Sequence, residues 1–94
     1  MVLAHPFVIG ELALGHLRQR ELVLSALSDL PRCSVASDAE VLHFIERNAL
    51  FGRSIGYVDV HLLAAVQLMA GATLWTKDRQ LHNVAAQLDL AVTP

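Results

Sequence analysis

Two acids, Asp59 and Asp78, belong to the stretch from Gly52 to Asp78. Asp59 stands at the front of an apolar helical segment, and Asp78 directly follows the strand-like run Thr73-Leu74-Trp75-Thr76. A helix start and a strand end can meet at one edge of an α/β sheet, so these two carboxylates can converge. A third acid, Glu11, is embedded among Phe7, Val8, Ile9, Leu12, Ala13 and Leu14, where burial without a partner is costly. Three carboxylates brought together repel one another unless a divalent cation neutralises them, and hard oxygen donors select magnesium or manganese. Such an ion polarises a phosphate oxygen and lowers the pKa of a bound water, which is nuclease chemistry. The same spacing fits a plainer role: Asp59 and Asp78 complement helix N-termini and Glu11 is solvated, each contributing a few tenths to about 1 kcal/mol. Spacing alone leaves both open.

Other chemistries find little support. The histidines at positions 5, 16, 43, 61 and 82 form no H-x-x-x-H and no Cys/His pairing of the kind zinc needs. His61, two residues after Asp59, points to a different side of the helix and reads as a packed or hydrogen-bonded residue. G-x-S-x-G, P-loop and G-x-G-x-x-G motifs are absent, which removes the common hydrolase and nucleotide-binding classes.

The elements that must position the acids alternate along the chain. Val2-Leu3-Ala4 reads as a strand, and Pro6 then opens a helix to about Leu14, since a missing N–H costs nothing in a first turn. Gly15 ends it, and a second helix runs from about Arg18 to Leu30, stopped by Pro31. Cys33-Ser34-Val35-Ala36 is a second strand candidate. Ser37 and Glu40 have capping-box spacing ahead of a helix reaching about Arg47, with Val41, Leu42, Phe44 and Ile45 as its buried face. The periodicity stops from Asn48 to Gly56, a loop containing Arg53 and Ser54. The next helix spans Tyr57 to Gly71. After the strand candidate Thr73–Thr76, Asp78 is the expected N-cap for a helix whose Leu81, Val84, Ala85 and Leu88 repeat at i, i+3, i+4 and i+7. Ala91-Val92-Thr93 is the fourth strand candidate. This alternation favours a parallel α/β sheet over an α+β arrangement.

Ninety-four residues allow a single domain. An apolar fraction of 54% against 17% charged argues against disorder and for a partner covering some apolar surface. The net charge of −2 gives no general positive field, so nucleic-acid binding requires a local basic patch. Six of the seven basic residues are arginine, which fits either carboxylate and phosphate pairing or ordinary surface. The lone Cys33 and the lack of a signal-like start point to a reducing, cytoplasmic setting. The longest greasy run, Leu62 to Trp75, falls short of the roughly 20 apolar residues of a spanning helix, so no membrane segment is expected.

Three blocks taken together carry a family resemblance: His5-Pro6-Phe7-Val8-Ile9-Gly10-Glu11-Leu12-Ala13-Leu14-Gly15, then Gly56-Tyr57-Val58-Asp59-Val60-His61-Leu62-Leu63-Ala64, then Leu74-Trp75-Thr76-Lys77-Asp78. Over essentially the whole chain, and in this order, the sequence resembles the PIN-domain toxins of the VapC type. The resemblance implies a PIN-like parallel sheet flanked by helices. It also implies an endoribonuclease dependent on Mg2+ or Mn2+, the toxin half of a toxin–antitoxin pair, silenced by a cognate antitoxin. The family's acids would fall on Glu11, Asp59 and Asp78, as metal ligands and catalytic groups, and Thr76 matches a supporting hydroxyl near the metal. Arg53, Lys77 and Arg79 lie where they could meet RNA phosphates. A homodimer is the expected assembly.

The family normally begins with a strand bearing Asp followed by Thr or Ser, ahead of the strand that matches Val2-Leu3-Ala4, and residues 1–94 therefore read as an N-terminally truncated, partial PIN-like domain. Three acids without the fourth lead to an expectation of weak metal affinity. They also leave an alternative: a catalytically impaired remnant that binds an antitoxin or associates with itself through exposed apolar faces.

Overall fold

The computed structural model describes residues 4–92. Among them are five helices: α1 (Pro6–Leu14), α2 (Arg20–Ser28), α3 (Asp38–Arg47), α4 (Tyr57–Leu68) and α5 (Arg79–Gln87). The chain divides into two compact units, residues 1–35 with α1 and α2, and residues 36–94 with α3, α4 and α5. None of the described helices is long and apolar enough to cross a membrane.

The expected parallel sheet is not formed. Among the described residues there are no β-strands, and the four strand candidates yield two isolated parallel bridges, Ala4 with Arg32 and Leu74 with Ala91. Each bridge has the two hydrogen bonds of one parallel contact. Ala4 N–H donates to Pro31 O (2.8 Å) and Cys33 N–H to Ala4 O (3.0 Å); Leu74 N–H donates to Leu90 O (2.6 Å) and Val92 N–H to Leu74 O (3.1 Å). Extension fails for local reasons. Arg32, outside the Cys33–Ala36 candidate, makes the first bridge, and Ala36 instead enters the core of the second unit. Thr76 turns its hydroxyl back onto the Asp78 N–H, which bends the chain out of any ladder. A pair of such short runs lacks the third strand and the apolar face that give a sheet independent stability. Val2, Leu3 and Thr93 of these candidates lie outside the described residues.

The helices follow the sequence more closely. In the first unit Pro6 is at the start of α1, and the cap is a histidine: Phe7 N–H donates to His5 Nδ1 (3.0 Å), and the two rings meet edge to face at 4.9 Å. Arg20 donates to the carbonyls of Ala13 and Gly15 at the end of α1, and Arg32 to Leu27 O (3.0 Å) near the end of α2, which also accepts the Leu30 N–H (3.2 Å). Neither α1 nor α2 buries a residue; Leu14 and Leu22 are 86% and 66% exposed. The second helix is shorter than its periodicity suggested, because Gln19 adopts φ 55° and interrupts the chain before Arg20.

The second unit holds the core. Val41 and Phe44 of α3, Val60, Leu63 and Ala64 of α4, and Leu81, Val84 and Ala85 of α5 form one buried cluster, closed by Ala36, Leu50 and Leu90. The capping box on α3 is complete: Glu40 N–H donates to Ser37 Oγ (3.1 Å) and Ser37 N–H to Glu40 Oε1 (2.8 Å), which holds the Glu40 carboxyl below its ordinary range. Leu42, expected on the buried face, is 58% exposed, because Val41, Phe44 and Ile45 already form the stripe that meets α4 and α5. Helix α4 stops at Leu68, not Gly71: Met69 is extended, and Gly71 takes the left-handed conformation (φ 78°) in the turn that follows.

Helices α3 and α5 end in the same way. Leu50 N–H reaches Ile45 O (3.0 Å) and Ala49 N–H reaches Glu46 O (3.3 Å), while Leu90 N–H reaches Ala85 O (2.8 Å) and Asp89 N–H reaches Ala86 O (3.1 Å). This is the Schellman pattern, whose left-handed residue is usually glycine, yet Ala49 (φ 51°) and Asp89 (φ 60°) occupy it here. A Cβ in that conformation costs roughly 1 kcal/mol. Ala49→Gly is therefore expected to stabilise the protein by about 0.5 kcal/mol after the larger entropy of the unfolded glycine chain is subtracted, read as a rise in thermal midpoint.

Candidate functional site

Helices α4 and α5 each begin at an acid that tends its own first turn. Asp59, in the first turn of α4, accepts the Gly56 N–H on Oδ2 (3.1 Å), and Asp78, the N-cap of α5, accepts the Leu81 N–H on Oδ1 (2.9 Å). Negative charge is favoured at both places because unpaired N–H groups and the helix dipole converge there. The helix-complementing role is thus realised for both residues. It uses one oxygen of each carboxylate and leaves the other as a hard donor.

Thr76 belongs with Asp78. Its Oγ1 accepts the Asp78 N–H (3.1 Å), so the hydroxyl sets the backbone that presents the cap. Between them, Lys77 extends over the exposed Trp75 ring, its Nζ 6.0 Å from the ring centroid. Leu74, Trp75, Thr76, His82 and Val92 line a shallow depression beside this segment.

The loop ahead of α4 is fastened along α5. Arg53 donates to Gln87 Oε1 (2.7 Å), and Gln80 Nε2 donates to Arg53 O (2.7 Å). Gln80 and Gln87 are seven residues apart and so share one helix face. These bonds hold the loop, with Ser54 in the left-handed conformation (φ 61°), beside the helix that Asp78 begins. Sequence reasoning passed over both glutamines; their i, i+7 spacing on the polar side of α5 is the signal that marks them. At the start of α4 the Tyr57 hydroxyl donates to Asp38 Oδ1 (3.4 Å). Desolvation first, and the Asp38 carboxylate after it, push the phenol above its usual range. One turn on, His61 is buried and meets the Tyr57 ring edge to face at 4.7 Å, the packed histidine that its position implied.

Glu11 is exposed on α1 of the first unit, and Asp59 and Asp78 both belong to the second. Within either unit, among the described residues, no three His, Cys, Asp or Glu side chains are grouped to hold a metal ion. Lys77 and Arg79 are exposed on either side of Asp78, and Arg53 is half-buried by its bonds to α5. The second oxygens of Asp59 and Asp78 suit magnesium or manganese rather than a soft metal, by the chemistry of the donor atoms.

The sequence is 44% identical over 88 residues to a protein named Ribonuclease VapC32, found in two strains of Mycobacterium tuberculosis, CDC 1551/Oshkosh and ATCC 25618/H37Rv. The match takes in 94% of this chain and 71% of that relative. No protein-family model matches the chain, and no solved structure does.

Proposed function

The chain belongs to the VapC-type toxin family, and on that premise we propose that it is a Mg2+- or Mn2+-dependent endoribonuclease, the toxin of a toxin–antitoxin pair, acting in the cytoplasm and silenced by a cognate antitoxin. The observation that carries the reading is the placement of Asp59 and Asp78 at the first turns of α4 and α5, each with a carboxylate oxygen to spare, in a chain so similar to a named ribonuclease. Asp59 and Asp78 would offer oxygens to the ion, and Glu11 is the further ligand that the resemblance implies. When bound, it supplies an acidified water and charge neutralisation at the scissile phosphate.

The remaining residues position and bind. Thr76 keeps Asp78 in place through its backbone N–H. Lys77 and Arg79 offer cations to RNA phosphates on both sides of Asp78, and Arg53 joins them on releasing Gln87. Incubating the purified chain with RNA and magnesium tests the reading: cleavage that stops on adding chelator is the expected result, and cleavage unaffected by chelator contradicts metal dependence.

A second reading, an antitoxin-binding or self-associating module without activity, draws on the exposed apolar side chains Leu14, Leu22, Phe51 and Leu68. A homodimer would cover part of that surface. Absence of cleavage in the same assay, from a chain that still captures its antitoxin, is the outcome that favours this module.

A further inference from the structure

Trp75 is 68% exposed although it follows half-buried Leu74, whose backbone makes the bridge to Ala91. A tryptophan left in water forgoes a large burial gain, so its exposure is informative when its neighbours are suited to a ligand. Here they are. Leu74 and Val92 supply apolar contact and His82 an imidazole on the depression that Thr76 also lines, and Lys77 brings a cation to 6.0 Å from the indole centroid. At about 240 Å3 this depression is smaller than the usual range for a drug-sized ligand, and it suits a small flat group resting against its wall.

Building on the ribonuclease reading above, we propose that Trp75 is a stacking platform for one nucleobase of single-stranded RNA, next to the scissile phosphate that Asp78 serves. An exposed aromatic face flanked by cations is how proteins hold unpaired bases: the ring takes the base and the cations take the phosphates on either side. Lys77 lies between Trp75 and Asp78 in sequence with its Nζ 6.0 Å from the indole centroid, so a phosphate beside the stacked base has a cation at hand. Thr76, bonded to the Asp78 N–H, fixes the spacing between platform and acid. Because stacking accepts any base, the platform contributes affinity and register, with little discrimination among sequences.

Trp75 is the single tryptophan of the chain, so its fluorescence reports on this position alone. The experiment is a titration with a single-stranded oligoribonucleotide in the presence of chelator, repeated with an abasic chain of equal length and charge. Saturable quenching by the first and none by the second is expected. Read instead by the anisotropy of a dye-labelled oligoribonucleotide, since these variants lose the tryptophan signal, Trp75→Ala should weaken binding about tenfold and Trp75→Phe by less than about threefold, within the span usual for a stacking aromatic. Equal responses to both chains, or unchanged affinity in Trp75→Ala, overturn the proposal. Binding is read without cleavage, so loss of the ribonuclease reading leaves this result standing, and cleavage without base-dependent quenching removes the platform alone.

Discussion

Asp59→Asn and Asp78→Asn are each expected to lower RNA cleavage by at least about a hundredfold, more than the loss of a group that merely supports a metal ligand. The fold should stay within about 1 kcal/mol of the parent. Asparagine keeps an oxygen where each carboxylate accepts a backbone N–H, from Gly56 in one case and Leu81 in the other, and it is as good an N-cap as aspartate. What it removes is the charge, worth roughly 0.3–1 kcal/mol to the helix dipole and indispensable to a divalent cation. The isosteric exchange therefore separates the two roles that spacing could not. If the acids only complement helices, both activity and thermal midpoint survive. If they also bind metal, activity and magnesium affinity fall together while the midpoint holds. Asp78→Ala is the companion variant, losing the cap as well, with a further cost of about 1 kcal/mol seen in thermal unfolding.

Leu63→Ala is expected to cost about 2–5 kcal/mol. Leu63 is fully buried on α4 among residues of α3, α4 and α5, and truncation leaves a cavity that three helices must close. A chain of 94 residues has a total stability of roughly 5–14 kcal/mol at the usual value per residue, so the loss is a large share of it. The thermal midpoint should fall by about 10–25 °C, followed by far-ultraviolet circular dichroism. Leu63 lies one turn beyond Asp59, so the same cavity loosens the seat of the acid, and cleavage should drop even where the protein remains folded. Leu63→Met, which preserves volume, should cost less than about 1.5 kcal/mol and keep activity; a midpoint equal to that of Leu63→Ala would show that the site tolerates no change of shape.

The helices were legible because their signals are local. Pro6 at a first turn, the reciprocal pair Ser37 and Glu40, and Asp78 ahead of the Leu81-Val84-Ala85 repeat each act within one or two turns of chain, and α1, α3 and α5 begin where those residues indicate. The three acids stood out for a related reason: a carboxylate beside an apolar run is conspicuous in any arrangement. The sheet was the part misread. Alternating helices and short apolar runs imitate a parallel sheet, but strand pairing depends on distant partners, and Leu74 and Ala91 meet for a single bridge before Thr76 turns the chain away.

By itself, then, the amino-acid sequence determined which segments coil and where α1, α3, α4 and α5 start, since these follow from neighbours a few residues apart. Tertiary structure decided what no local pattern contains. It left Leu42 and Trp75 exposed. It fastened the Arg53 loop to Gln80 and Gln87, residues far along the chain. And for Asp59 and Asp78, it committed one oxygen of each to a backbone N–H, realising the helix-complementing role that spacing had left open.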